Sequence, residues 1–245
     1  MRADATLFIS DLHLAPDSPA VLNRFLSFLD GPANQVRRLY VLGDFFETWV
    51  GDDDLSSPLP GIVVAALRKQ VEAGLEIQYM HGNRDFLLGD LFSQASGARL
   101  LGDPSLIDLH GTPTLLMHGD SLCTDDLAYQ KFRQQVRNPA WQQAILSRPL
   151  EERRLLAAQM RDQSSIAKDG KTMVVMDVNA DAVAQAFRGH GCHRMIHGHT
   201  HRPARHILTV DGHECERWVL PDWDATAGGY LQCDRQGCQL LDWSA

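Results

Sequence analysis

Long apolar runs are absent from this sequence. Nothing in its 245 residues approaches the roughly 18 consecutive apolar residues of a membrane-spanning helix. The first residues also lack the basic segment and apolar core of a secretion signal, because the apolar run at 7–9 is far too short. We therefore expect a cytoplasmic protein, although nothing in the sequence excludes its resting on a membrane surface.

An excess of positive charge is missing as well. The net charge is -8 at pH 7, whereas a nucleic-acid-binding protein normally carries a broad basic surface. We therefore expect no nucleic-acid partner. A small phosphorylated substrate stays compatible with this charge, because bound metal ions can supply local positive charge.

Cysteine is scarce: there are five, an odd number, and no CxxC motif occurs. Cys233 and Cys238 flank a predicted hairpin turn and could face each other. We nevertheless expect five reduced thiols in or near the core. Repeats, low-complexity tracts and long linkers are also absent, so we expect a single domain over residues 1–245.

The pattern of apolar residues predicts an α/β fold. Helical patterns at 21–29 and 62–71 alternate with short apolar runs, which predicts a largely parallel sheet. The chain closes with two predicted hairpins, one of which turns at Asp211-Gly212. The predicted strands before these hairpins are residues 6–10, 38–42, 76–80, 114–117 and 194–196.

The segment 125–170 interrupts this alternation. It contains three helix candidates at 125–137, 140–147 and 150–166, and Asn138-Pro139 and Arg148-Pro149 separate them. The pattern predicts a helical insertion between sheet elements. The alternative is that these helices belong to the helical layer of the main core.

Metal-ligand residue types follow five of the predicted strands. In open α/β sheets, ligands bind beyond the carboxyl ends of the strands, so these side chains are expected to converge. Residues two apart lie on the same side of an extended backbone, and a glycine beside each ligand would let the chain turn sharply. The motifs are Asp11-x-His13, Gly43-Asp44, Gly82-Asn83-Arg84-Asp85, His118-Gly119-Asp120 and Gly198-His199-x-His201.

Taken singly, a His or Asp at a strand end is usually a turn or capping residue. Five such motifs in this order indicate a metal site, and they supply too many ligands for one tetrahedral zinc. Imidazole, carboxylate and amide ligands without a thiolate suit two Mn, Fe or Zn ions, and we expect Mn²⁺. Asp44 is the best bridge because its carboxylate has two oxygens. The candidate ligands are Asp11, His13, Asp44, Asn83, His118, His199 and His201.

Two divalent ions outweigh the negative charge of two carboxylates, so the predicted site favours phosphate binding and phosphoryl transfer. The remaining histidines are not expected to bind metal directly. His81 and His197 adjoin the motifs and would only orient the ligands. Surface or structural roles are expected for His110, His190, His193, His206 and His213.

Together, these five motifs resemble the calcineurin-like metallophosphoesterase superfamily. The resemblance implies a sandwich of two sheets flanked by helices, with a dinuclear metal centre at its edge. It implies that one metal is bound by Asp11, His13, Asp44 and His201, and the second by Asp44, Asn83, His118 and His199.

The extended motifs resemble, more narrowly, the family of bacterial UDP-2,3-diacylglucosamine pyrophosphohydrolases of lipid A synthesis. The similar segments are 8–14, 42–47, 80–89, 118–126 and 196–203, and the resemblance covers nearly the whole chain. It implies attack of a metal-bridging hydroxide on the α-phosphorus of UDP-2,3-diacylglucosamine, which gives UMP and 2,3-diacylglucosamine 1-phosphate (lipid X). It also implies a peripheral protein on the cytoplasmic face of the inner membrane, and we expect a monomer.

The resemblance further implies which residues act on this substrate. Asp44, Arg84 and His199 would be catalytic, and the helical insertion would be a lid that takes up the acyl chains. Arg84 offers a planar fork for phosphate beside the metals. Without the resemblance, Lys168 and Lys171 would be read as a solvated helix end. The implied substrate contacts are Asn83, Arg84, Asp126, Ser164, Lys168, Lys171 and His199.

Acyl chains would require an apolar lining inside the insertion. The residues expected to provide it are Phe132, Val136, Trp141, Ile145, Leu155, Leu156 and Met160. One alternative is another superfamily enzyme that cleaves nucleotide phosphodiesters or dinucleoside polyphosphates, which would not need such a lining. A second is a non-catalytic scaffold that kept the fold; it should lack ligands, and no ligand is missing from the motifs.

Overall fold

The computed structural model describes residues 2–169 and 177–244, with the side chains of 162–169 excepted. Strands of the described chain form two sheets. They are β1 (Ala3–Ile9), β2 (Val36–Leu42), β3 (Glu76–Met80), β4 (Arg99–Leu101), β5 (Ser105–Leu109), β6 (Thr112–Leu116), β7 (Arg194–His197), β8 (Ala204–Val210), β9 (His213–Val219), β10 (Gly229–Asp234) and β11 (Gly237–Asp242).

Each sheet combines parallel and antiparallel strands. The six-stranded sheet has the order β11-β10-β1-β2-β3-β4, and the five-stranded sheet has the order β5-β6-β7-β9-β8. Strands β1 to β4 are parallel, and so are β6, β7 and β9. The two-sheet sandwich implied by the resemblance is therefore confirmed. The expectation of one largely parallel sheet is wrong, because β6 and β7 pair with β9 in a second, mixed sheet.

Apolar side chains of both sheets meet between them. Phe8, Leu42 and Met80 come from the first sheet, and Ile196 and Trp218 come from the second. On β1, Leu7 and Ile9 face the opposite way, into a larger cluster with the helices. Burial on both faces explains why the central strands read as continuous apolar runs.

Seven α-helices occur in the described residues. The flanking helices are α1 (Pro19–Asp30), α2 (Pro58–Glu72), α3 (Asp90–Ser96) and α7 (Ala180–His190). Three more lie between β6 and β7 in the sequence, namely α4 (Leu127–Val136), α5 (Pro139–Leu146) and α6 (Leu150–Asp169). Asn138 separates α4 from α5, because its side-chain oxygen accepts the N–H groups of Ala140 and Trp141 and so caps α5.

The C-terminal hairpin departs from the expected cysteine chemistry. Cys233 and Cys238 lie opposite each other in the register of β10 and β11, and a disulfide joins them. The expectation of five reduced thiols is therefore wrong for this pair. Cys123, Cys192 and Cys215 are buried and lie outside this disulfide.

Candidate active site

The loops after β1, β2, β3, β6 and β7 converge at one edge of the sandwich. Potential ligand atoms of Asp11, His13 and His201 lie within 4.8 Å of one another, and so do those of Asp11, Asp44 and His118. Both sheets thus contribute to one cluster, as the convergence of parallel strand ends would produce.

The other candidate ligands join the same cluster. Asn83 Oδ1 lies 3.1 Å from His118 Nε2 and 2.9 Å from His199 Nδ1. Asp44 stands between the two halves, because Oδ2 is 3.8 Å from His13 Nε2 and Oδ1 is 3.8 Å from His118 Nε2. The structure therefore brings all seven predicted ligands together.

Five of these residues have a left-handed backbone that side-chain-bearing residues seldom adopt. The φ angles of Asp11, His13, Asp44, His199 and His201 lie between 49° and 67°. The expected extended geometry of the two x-separated pairs is wrong, since the chain curls immediately after the strand. Such strain costs of order 1–3 kcal/mol for each residue and clusters at functional sites. Backbone hydrogen bonds between the loops after β1 and β2 stabilise this conformation. One of them runs from Asp11 N–H to Gly43 O at 3.1 Å.

Two glycines are required by close approach rather than by a turn. A Cβ at Gly82 would lie 2.0 Å from Asp44 Oδ1, and one at Gly198 would lie 2.2 Å from Asp11 Oδ2. A side chain at either position would therefore displace a candidate ligand.

Three histidines have a partner on the nitrogen that faces away from the cluster. His13 Nδ1 is 2.8 Å from Glu47 Oε2, His118 Nδ1 is 2.9 Å from Leu42 O, and His201 Nδ1 is 3.2 Å from Asp222 Oδ2. A proton on each Nδ1 leaves Nε2 as a ligand atom directed into the cluster. No motif predicts Asp222. Glu47 closes the similar segment 42–47, but nothing in the sequence assigns it this role.

Unpaired acceptors indicate that a cation fits here. Asp11 is fully buried, and its Oδ2 accepts hydrogen bonds from Ser10 Oγ at 2.6 Å and His199 N at 2.9 Å. Asp11 Oδ1 and His13 Nε2 are buried and make no hydrogen bond, although Asp11 Oδ1 lies 3.4 Å from His201 Nε2. Buried polar atoms are rarely left so, and a cation between them would satisfy both.

The electrostatics of the cluster point the same way. Burial alone would lower the pKa of His118 and His201, but nearby carboxylates, chiefly Asp44 and Asp11 respectively, raise these pKa values to about 9 and about 10. Burial and the neighbouring His118 lower the pKa of His199 to about 3. The cluster thus favours bound positive charge, which divalent ions would supply in place of protons.

Arg84 and Asp85 connect the Gly82-Asn83-Arg84-Asp85 motif to the Gly43-Asp44 motif. The Arg84 backbone N–H donates to Asp44 Oδ1 at 2.8 Å, and its guanidinium lies 3.7 Å from Glu47. Asp85 is fully buried and accepts the N–H groups of Phe45 and Gly82, each at 2.7 Å. Asp85 therefore joins the two loops, while Arg84 lines the adjoining cavity.

A polar network attaches α4 to the cluster. Asp120 is fully buried, and its Oδ2 accepts Tyr129 Oη at 2.6 Å and Arg133 Nε at 2.9 Å. The Tyr129 ring stacks on His199 with the centroids 5.9 Å apart. Asp120 follows His118 in a recognised motif, but nothing in the sequence identifies these partners on α4.

A cavity of about 630 Å³ opens from the cluster and runs beneath α4, α5 and α6. The expected apolar lining is present at Phe132, Trp141, Ile145, Leu156 and Met160. The expectation is wrong for the other two residues. Val136 is buried outside the cavity lining, and Leu155 is 62% exposed because it lies on the outer face of α6.

Several expected substrate contacts line this cavity, namely Asn83, Arg84, Asp126 and His199. The side chains of Ser164 and Lys168, and the whole of Lys171, lie outside the described residues. His81 hydrogen-bonds to Leu88 O, and His197 has partners on both ring nitrogens, Gly198 O and Arg217 Nη1. The remaining histidines are exposed or half-buried, as expected for His110, His190, His193, His206 and His213.

The similarity to known proteins covers this whole site. The family model for the calcineurin-like phosphoesterases matches residues 5–203, which contain all seven candidate ligands. The chain is 52% identical to the UDP-2,3-diacylglucosamine hydrolase of Aromatoleum aromaticum, covering 95% of this chain and 94% of that protein. It is 50% identical to the hydrolase of the same name from Cellvibrio japonicus, covering 97% and 98%. It is 46% identical to that from Pseudomonas aeruginosa, covering 95% and 96%.

Proposed function

This chain belongs to the calcineurin-like phosphoesterases and, among them, to the family of UDP-2,3-diacylglucosamine hydrolases, and from that premise we propose its reaction. The substrate is UDP-2,3-diacylglucosamine, and the products are UMP and 2,3-diacylglucosamine 1-phosphate. The observation that carries this proposal is the union of a cluster suited to cations with a largely apolar cavity. A hydrophilic nucleotide substrate would use the first but not the second.

Two divalent ions, in our proposal Mn²⁺, would be held by the cluster. Asp11, His13, Asp44 and His201 would hold one, and Asp44, Asn83, His118 and His199 would hold the other. Such ions would lower the pKa of water and offset negative charge on phosphate oxygens. Asp44 would serve both, because its two oxygens face opposite halves of the cluster.

The chain's own residues orient the substrate around that chemistry. Arg84 lines the cavity beside the cluster, where its guanidinium would offset charge as the α-phosphorus is attacked. His199 would contact phosphate as well. Glu47 and Asp222 hold the rings of His13 and His201 in position. Asp126, Ser164, Lys168 and Lys171 would contact the remainder of the substrate.

The acyl chains would lie in the cavity, with α4 to α6 as a lid over them within one domain. Phe132, Trp141, Ile145, Leu156 and Met160 provide the apolar surface for this. Each buried methylene contributes about 0.8 kcal/mol, so partial burial of two chains would supply several kcal/mol.

The enzyme would work as a monomer at the cytoplasmic face of the inner membrane, where a diacylated substrate resides. Within the described chain, no helix is long and apolar enough to cross a bilayer. Leu127 and Leu155 are 77% and 62% exposed on α4 and α6, which would favour contact with lipid. Co-sedimentation with anionic vesicles should weaken when both are changed to Ser. Equal binding of wild type and the double variant to the vesicles would contradict the proposed contact of Leu127 and Leu155 with lipid.

A labelling experiment tests the reaction itself. Purified protein should release UMP from UDP-2,3-diacylglucosamine in water enriched in heavy oxygen. Attack at the α-phosphorus puts the label in UMP, whereas attack at the β-phosphorus puts it in the sugar phosphate. Label in the lipid product would contradict the proposed site of attack, and absence of both products would contradict the proposed function.

A further inference from the structure

A buried arginine lines the cavity and has no part in the chemistry proposed above. The side chain of Arg153, on α6, is 3% exposed and lines the cavity. Buried arginines near a phosphate site commonly bind phosphate, so the direction of this guanidinium decides its role.

The guanidinium of Arg153 is already occupied. Its Nε donates to Arg148 O at 3.0 Å, and its Nη1 donates to Val50 O and, at 2.9 Å, to Asp53 Oδ1. Its Nη2 donates to Asp53 Oδ2, so the pair is bidentate. These bonds satisfy all three guanidinium nitrogens, so an apolar ligand in the cavity would contact the aliphatic stem of the side chain.

The two partners of this ion pair have opposite surroundings. The Asp53 side chain is 58% exposed, whereas Arg153 is buried against the cavity. The pair therefore stands between the cavity and solvent. Gly51, with φ at +131°, allows this arrangement, because a Cβ there would lie 2.3 Å from Arg153 Nη1.

Arg153 stands at one end of the stretch of α6 that lines the cavity. Arg153, Leu156, Ala157, Met160 and Arg161 line the cavity at helical spacing. Arg153 lies near the start of α6 and is the first residue of that helix to line the cavity. Arg153 precedes Arg161 by eight residues, which is about 12 Å of helix.

We propose that the Arg153–Asp53 pair terminates the acyl-chain chamber and so sets the longest acyl chain that the enzyme accommodates. This inference rests on the proposed function, since it requires acyl chains in the cavity. A chain within the limit is buried along α6. A longer one meets the side of the ion pair and must fold back or remain in water.

The test is the dependence of kcat/KM on acyl-chain length. A series of substrates with progressively longer acyl chains should show kcat/KM rising with length, by up to roughly fourfold per buried methylene, and then falling beyond a limit. Arg153→Ala should shift that limit to longer chains, raising kcat/KM for the first rejected chain on the order of tenfold. Asp53→Asn removes one partner at an exposed position and should shift the limit in the same direction.

Arg154→Ala is the matched control. Arg154 also ties α6 to the same loop, through Asp54 and Ser57, but it is 41% exposed and does not line the cavity. Its removal should leave the length profile unchanged. Identical profiles for wild type, Arg153→Ala and Asp53→Asn would overturn the chamber inference while leaving the proposed reaction intact. If wild type shows no diacyl-dependent UMP release, the proposed function itself fails.

Discussion

At the scale of single residues, the sequence predicts the candidate ligands by type and position but not by conformation. Asp11 and His13 are identifiable because they follow a buried strand and because ligand residue types also follow four other strands. Their left-handed backbone could not be predicted, since it depends on hydrogen bonds to the loop after β2, formed by residues about thirty positions away. The role of Asp222 could not be predicted either, because it depends on a contact with His201 that only the folded chain forms.

The first prediction concerns Asp44, the proposed bridge. Asp44→Ala should lower metal content and kcat together and be the most damaging change of a single ligand, because it removes an oxygen from both halves of the cluster. Metal analysis of the purified variant beside steady-state kinetics measures this. His190→Ala, on the exposed end of α7, should behave as wild type. Two full metal equivalents in Asp44→Ala would exclude it as the bridge.

The second prediction concerns Arg84. Arg84→Ala should retain its metals, because the contact of residue 84 with Asp44 is made by its backbone N–H. Turnover should fall on the order of 10² to 10³ if the guanidinium stabilises developing charge. Separate kcat and KM values distinguish a contact made in the transition state from one that binds the substrate throughout. A rise in KM alone would make Arg84 a uniform binding contact.

At the scale of elements, buried strands are the most predictable parts of the fold. The runs that became β2, β3 and β7 are predicted to within about two residues, because both faces are buried. By contrast, β4 and β5 are short or have exposed alternate residues, so they offer little periodic signal. Helix α7 could have been predicted from its Asn179 cap and Gly191 terminus.

The third prediction concerns the attachment of α4 to the cluster. Tyr129→Phe keeps the ring on His199 but removes the hydroxyl that donates to buried Asp120. Leaving that acceptor without one donor should lower the free energy of unfolding by about 1–3 kcal/mol, with metal content unchanged. Urea unfolding measures the loss. A Tyr129→Phe protein as stable as wild type would mean that the hydrogen bond contributes little. Tyr129→Leu removes the ring as well, so it should also disturb the position of the His199 ring.

At the scale of the whole molecule, the split into two sheets could not be derived from periodicity. The segment that became β6 follows the same pattern as β1 to β3, yet it pairs with β7 about eighty residues away. Only the family resemblance implied the second sheet. The disulfide likewise depends on the register of β10 and β11, which places Cys233 opposite Cys238.

The fourth prediction concerns the metals. Their proposed ligands are carboxylates, imidazoles and one amide, so bound ions should exchange freely. Incubation with a chelator followed by gel filtration should abolish hydrolysis, and added Mn²⁺ should restore it more fully than Mg²⁺. Full activity in a preparation shown by elemental analysis to contain no metal would exclude the proposed role of the cluster.

The central claim is that one molecule combines a dinuclear phosphoesterase site with a chamber for acyl chains. The most direct test is the ratio of kcat/KM for UDP-2,3-diacylglucosamine to that for UDP-N-acetylglucosamine, which presents the same pyrophosphate without long chains. Since each buried methylene contributes about 0.8 kcal/mol, the ratio should exceed 10³. Replacing Leu156 and Met160, which line the cavity, by Gln should reduce it. Equal cleavage of the two substrates by the unmodified protein would contradict the account and make a general nucleotide pyrophosphohydrolase the better description.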